Sequence, residues 1–305
     1  MRALYLSLFI LITLYSSRTE AQDADVNGEW SPPISFGIVP VAVANLPDGR
    51  LITWSSQFPN TFLEVGDGQT FTEIFDPGLG THGTALGSTV TQTNHDMFCP
   101  GVNILDDGRI LSAGGTSSER TSIYNPETEI WTRADDMNIP RGYQGNVTTA
   151  EGWVFTLGGS WSQGSSINGG KDAELWTPET GWVLLPGIKG DDIYNANDLS
   201  LEQQGLYRVD NHLWLWPASD GSLFHAGPSE DMHWIDINAN GGAGAIVGAG
   251  SRASDTYSMK GTTVMFDIDK ILKVGGAESY GGNPNPAGPP GKNSTYVIDI
   301  SGGYG

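Results

Sequence analysis

Ile110-Leu111-Ser112-Ala113-Gly114-Gly115, followed by Ile123-Tyr124-Asn125-Pro126-Glu127-Thr128-Glu129-Ile130-Trp131, is the stretch on which the fold turns. The first run is short, rich in apolar and small residues, and ends on paired glycines. Ahead of it stands Asp106-Asp107-Gly108-Arg109, a hairpin-type turn in which glycine accepts positive φ at little steric cost. The second run reads as strand, turn and aromatic return. Both parts recur further on, as Val154-Phe155-Thr156-Leu157-Gly158-Gly159 and as Leu175-Trp176-Thr177-Pro178-Glu179-Thr180-Gly181-Trp182. Two copies of one blade edge are the simplest reading, with Trp131 and Trp182 packing between blades as structural residues.

Runs of the first kind also begin at Leu51, Leu223 and Ile271, so the five starts lie 59, 44, 69 and 48 residues apart. These distances bracket the roughly 50-residue period of kelch repeats. The expectation is an all-β, kelch-type β-propeller of about five blades, in which paired glycines let inner strands approach a crowded axis. Composition agrees. The chain of 305 residues holds 42 glycines with no Gly-X-Y period, and no stretch sustains a helical period. Lys and Arg number 15 against 35 Asp and Glu, a net charge of −20, which repels phosphate backbones and anionic lipid and argues against nucleic acid or membrane as partners. Asn146-Val147-Thr148 and Asn293-Ser294-Thr295 fit the N-glycosylation pattern, a triplet that often arises by chance.

The N-terminus reads as an address. Arg2 precedes an apolar run over residues 3–15, and short side chains around Ala21 offer a cleavage site. Such a run is too short to span a bilayer of about 30 Å. A secretory signal over residues 1–21 and a secreted domain over 22–305 are expected.

Cys99 is the only cysteine in the chain. In an oxidising compartment it has no partner for an internal disulfide, so it either packs as a small hydrophobe or has chemistry of its own. Its neighbours bear on that choice. It lies in His95-Asp96-Met97-Phe98-Cys99-Pro100-Gly101, and further on come Arg141-Gly142-Tyr143-Gln144 and Gly158-Gly159-Ser160-Trp161. Together these three segments resemble the active-site framework of the galactose oxidase family, copper radical oxidases built on a kelch-type propeller. Gly28-Glu29-Trp30-Ser31-Pro32 and Trp54-Ser55-Ser56 resemble the start of the family's catalytic domain, so the likeness runs over about residues 28–276.

The resemblance implies a Cys–Tyr thioether cofactor formed from Cys99 and Tyr143, with Trp161 stacked over the joined pair. Tyr143 would then be both copper ligand and radical site. Removing two electrons from a primary alcohol calls for two one-electron centres, and a sulfur-substituted tyrosine beside Cu(II) is the second of them. The implied reaction takes a primary alcohol, small or carbohydrate, to the aldehyde and O2 to hydrogen peroxide. Phe62 and Arg252 stand at the spacings of the family's substrate-lining phenylalanine and hydroxyl-binding arginine.

The family's copper is also held by a second tyrosine followed directly by histidine, and by a later histidine. None of His82, His95, His212, His225 or His233 matches a ligand. The expectation is therefore the N-terminal portion of such a domain, about five of seven blades, inactive as it stands. The alternative is a non-catalytic secreted propeller that binds glycans or proteins.

Overall fold

The computed structural model describes residues 28, 30, 33–61, 68–79, 89–159, 170–193, 212–252, 254–277 and 290–304. Within them lie five antiparallel sheets. The first comprises β1 (Ala42–Asn45), β2 (Leu51–Trp54), β3 (Gln69–Phe75) and β4 (Thr89–Gln92); the second β5 (Gly101–Ile104), β6 (Ile110–Ala113), β7 (Thr121–Asn125) and β8 (Ile130–Ala134). The third holds β9 (Gly145–Thr148), β10 (Val154–Leu157), β11 (Ala173–Thr177) and β12 (Gly181–Leu185); the fourth β13 (Trp214–Pro217), β14 (Leu223–Gly227), β15 (Asp231–Asp236) and β16 (Ala245–Ser251). β17 (Thr262–Asp267), β18 (Lys270–Val274) and β19 (Thr295–Asp299) make the fifth. In every sheet the strands follow in sequence order, as in the blades of a propeller. The fold is an incomplete β-propeller of five blades, as the repeats predict.

The first strand of each blade is innermost: β1 meets β5, β5 meets β9, β9 meets β13 and β13 meets β17. The apolar runs visible in the sequence are the second strands, one step out from the axis. There they are flanked by a strand on each side and covered on both faces by neighbouring blades, so Ile110–Ala113, Val154–Leu157 and Leu223–Gly227 are buried at every position. A strand buried on both faces needs no polar alternation. The paired glycines follow these second strands, so the expectation that they ease the inner strands together is corrected. That close approach falls on single glycines opening the inner strands themselves. A Cβ on Gly101 would lie 2.4 Å from the Asn146 side chain, and one on Gly145 2.6 Å from Leu213 Cβ.

The hydrophobic core is divided among the seams between blades. Ile52, Trp54, Ile110 and Trp131 fill the first seam, Leu111, Val154, Trp176 and Trp182 the second, Phe155, Leu185, Leu223 and Ile235 the third, and Trp214, Phe224, Ile271 and Ile298 the fourth. Tryptophans tie the seams together. Trp131 Nε1 donates to Thr72 Oγ1 of the preceding blade at 2.9 Å, and Trp182 Nε1 to Thr121 Oγ1 at 2.9 Å. Trp131 also meets Trp54 edge-on at 5.1 Å. Helix is confined, among the described residues, to one turn at Ala239–Gly242 and 3-10 turns at Pro77–Leu79 and Gly190–Ile193, and no helix is long and apolar enough to cross a membrane. The signal expected over residues 1–21 lies outside the described residues.

Candidate active site

Cys99 and Tyr143 occupy the same place in successive blades, each two residues before an innermost strand, β5 and β9 respectively. Both adopt left-handed backbone, with φ of 61° and 58°. Side chains other than glycine rarely take this conformation, and where they do it is held by surrounding structure, often at functional sites. The two residues are joined directly. Tyr143 N donates to Cys99 O at 3.2 Å, and the Tyr143 side chain comes close enough to the Cys99 thiol to ease its ionisation.

Each turn is fixed from behind. His95 is fully buried, with Nε2 2.9 Å from Gly114 O and Nδ1 3.0 Å from Ser122 Oγ. Burial pushes it down to about 3, so the ring is neutral: Nε2–H donates to the carbonyl and Nδ1 accepts from the hydroxyl. Thr116 N donates to Phe98 O and Ser117 N to Asp96 O, binding the cysteine turn to the end of β6. Here the paired glycines have their use. A Cβ on Gly114 would lie 2.2 Å from Arg141 O and one on Gly115 2.4 Å from Phe98 O, so the backbone after β6 presses against both the cysteine and the tyrosine turn at once.

The tyrosine turn hangs on Arg141, which is completely buried. Its guanidinium donates to the carbonyls of Ile139, Gly158, Lys171 and Asp172 and pairs with Glu174 Oε1 at 3.0 Å. Glu174 in turn accepts from the backbone N–H groups of Asn138 and Ile139. A buried ion pair is worth its desolvation only when the remaining donors and acceptors are satisfied, and this one is. Arg141 stands within the segment that signals the site, yet sequence alone gives it no task.

Electrostatically the surroundings of Cys99 favour protonated groups. Burial pushes the Cys99 thiol up to about 11, nearby Asp96 adds to the rise, and the Tyr143 side chain opposes it. Asp96 is itself pushed up to about 6 by burial, against the pull of the Phe98 and Gln57 backbone N–H groups. Cys99 is thus a neutral thiol at pH 7, and it becomes a nucleophile or radical partner only if something removes its proton.

Arg252 is elsewhere in character. It is 1% exposed, its Nη1 donates to the carbonyls of Ala226 and Ser229 and its Nη2 to those of Pro228 and Thr256, and its charge lies over the Trp214 ring at 5.3 Å. It anchors the end of β14 much as Arg141 anchors the tyrosine turn. Phe62 and Trp161 lie outside the described residues. His225 and His233 face each other across β14 and β15 with their Nδ1 atoms 3.2 Å apart, buried in the fourth blade. Among the described residues no three His, Cys, Asp or Glu side chains converge as a metal site. What the described residues do bring together on the inner rim is a thiol and a phenol, the pair of side chains that a Cys–Tyr cofactor requires, and the phenol oxygen is an atom that could bind copper.

Fold and site together define a propeller segment whose axis carries a cross-blade Cys–Tyr contact. No family model matches the chain. Two galactose oxidases of Gibberella zeae are each 39% identical to it over 261 residues, 83% of this chain and 36% of theirs. A solved fungal alcohol oxidase of the AA5 family, in complex with copper, superposes with a TM-score of 0.73 at 34% identity, over 90% of this chain and 56% of that one. The chain is a homologue of galactose oxidase, and it spans about a third of the length of those curated relatives.

Proposed function

We propose that the chain supplies the Cys–Tyr part of a copper radical oxidase site, which oxidises a primary alcohol, small or carbohydrate, to the aldehyde and reduces O2 to hydrogen peroxide. The observation that carries this reading is the side-chain contact between Cys99 and Tyr143, from two adjacent blades, in a homologue of galactose oxidase. In the reading, a thioether joins Cys99 Sγ to the Tyr143 ring carbon beside the hydroxyl-bearing carbon. The S–H and C–H hydrogens leave as two protons and two electrons, which O2 takes up as hydrogen peroxide. Copper bound at the Tyr143 oxygen would supply a one-electron acceptor next to this one-electron centre, so that together they match the two electrons of an alcohol. Sulfur on the ring spreads the unpaired electron and eases its formation, and the left-handed turns hold the pair without rearrangement.

Trp161 stacks over the joined pair in this proposal and shields it from water, and Phe62 lines the substrate side. In this reading Arg252 reaches a substrate hydroxyl through its buried Nε, which makes no hydrogen bond among the described residues and lies 3.5 Å from Asp255 Oδ2, or by opening one of its four carbonyl bonds. Copper ligands beyond Tyr143 come from outside the described residues. Export by residues 1–21, with 22–305 as the secreted domain, belongs to the same proposal.

One observation favours a second reading, a propeller that binds glycans or proteins without catalysis: no group of three metal-binding side chains converges among the described residues. Peptide mass spectrometry on aerobically copper-loaded protein separates the two. A Cys99–Tyr143 peptide pair lighter than its parts by two hydrogens, and stable to reductant, is expected. A Cys99 that is fully alkylatable after copper loading would remove the radical mechanism.

A further inference from the structure

The inner rim of the propeller carries a third residue of the same kind. His212 stands two residues before β13, as Cys99 does before β5 and Tyr143 before β9, and its φ of 53° is left-handed like theirs. Its N–H donates to Tyr143 O at 2.7 Å, just as Tyr143 N donates to Cys99 O. A backbone chain thus runs Cys99, Tyr143, His212 through three blades. The side chains follow it. The Tyr143 side chain contacts the Cys99 thiol on one side, and the His212 ring lies 4.6 Å from the Tyr143 ring, centroid to centroid, tilted by 41°. Rings at this separation attract beyond mere burial.

We propose that His212 is a positioning residue for Tyr143, its ring holding the phenol in the orientation that directs the hydroxyl to Cys99. The placement stands on the backbone bond from His212 to Tyr143 and on the contact of their rings; its consequence for thioether formation rests on the oxidase reading. In that setting His212 acts through Tyr143 and touches neither the alcohol nor the sulfur.

Two substitutions separate ring from backbone. His212→Asn tolerates the left-handed conformation and removes the ring, whereas His212→Phe keeps a planar ring. The first readout is the flip rate of the Tyr143 ring in the copper-free 305-residue chain labelled with 13C at the tyrosine ring carbons, its resonance assigned by Tyr143→Phe. His212→Asn is expected to speed flipping by about two- to tenfold, the range of an aromatic contact, and His212→Phe to leave it near the wild-type rate. An unchanged rate in His212→Asn overturns the proposal, as does a rate in His212→Phe equal to that in His212→Asn. The second readout is the fraction of Cys99 linked to Tyr143 after copper loading, expected to fall in His212→Asn and recover in His212→Phe. A wild-type protein that never links defeats the oxidase reading and with it this consequence, while the flip rates still decide the placement.

Discussion

A histidine buried without charge makes a fold sensitive to acid, and two among the described residues are completely buried, His95 and His225. Burial pushes His95 down to about 3 and His225 well below its ordinary value. The unfolded chain takes up these protons near pH 6.5 and the fold does not, so stability is lost as pH falls below about 6.5, by about 1.4 kcal/mol per pH unit for each such group. Asp96 works the other way. Raised to about 6, it is protonated in the fold before the unfolded chain, and it adds stability between about pH 6 and pH 4. With two fully buried histidines against one carboxyl, urea unfolding at pH 7, 6 and 5 is expected to show a net decline. In His95→Gln the decline should flatten by about one group's share. A slope unchanged by that substitution would mean that His95 is already protonated in the fold.

At the scale of elements, the tryptophan on an outer strand does more than fill a seam. Trp131 packs its indole against Trp54 and Tyr124 and gives its Nε1–H to Thr72, so its two contributions can be separated. Trp131→Ala is expected to cost about 3–5 kcal/mol and Trp131→Phe, which removes the hydrogen bond and part of the ring system, about 1–2 kcal/mol, read from denaturant midpoints. The sequence shows these outer hairpins because strand, turn and tryptophan recur almost unchanged. It shows the second strands because burial on both faces makes them continuous apolar runs. The innermost strands escape it: Gly101–Ile104 and Gly145–Thr148 are four residues long, open on glycine and carry an asparagine each, so nothing in their composition marks them as the centre of the molecule. The two glycosylation triplets are likewise indistinguishable on paper. In the fold Asn146 lies on β9 with its amide against Gly101 and Thr156, whereas Asn293 is exposed.

Over the whole molecule, the site was legible where it is spelled in short segments and lost where it depends on the meeting of blades. Cys99 and Tyr143 stand 44 positions apart in sequence and on neighbouring inner turns in the fold, each inside a short segment that can be picked out by eye. The roles of Arg141, Glu174 and His212 emerge only when blades are set side by side, because their partners are backbone carbonyls and a ring, which leave no mark in a pattern of residue types. The same view explains an exposed surface. Val264, Phe266, Val274 and Val297 crowd the face of the fifth blade turned away from the fourth, each at least 40% exposed, whereas the corresponding seams between the other blades are filled. Apolar faces of this kind drive association in spite of a net charge of −20. The 305-residue chain is expected to self-associate, and the double variant Val264→Lys, Phe266→Glu to shift it toward monomer in light scattering coupled to size exclusion. An unaltered mass distribution would clear this face.

The tryptophan ties also have a direction in time. Trp131 reaches back 59 residues to Thr72, and Trp182 reaches back 61 to Thr121. On a ribosome the threonine of each tie has therefore left the exit tunnel well before its tryptophan is made. Each of these blades arrives to find its acceptor waiting on a neighbour already synthesised, so the second and third blades can dock in the order in which they are translated, without holding an unfinished partner open.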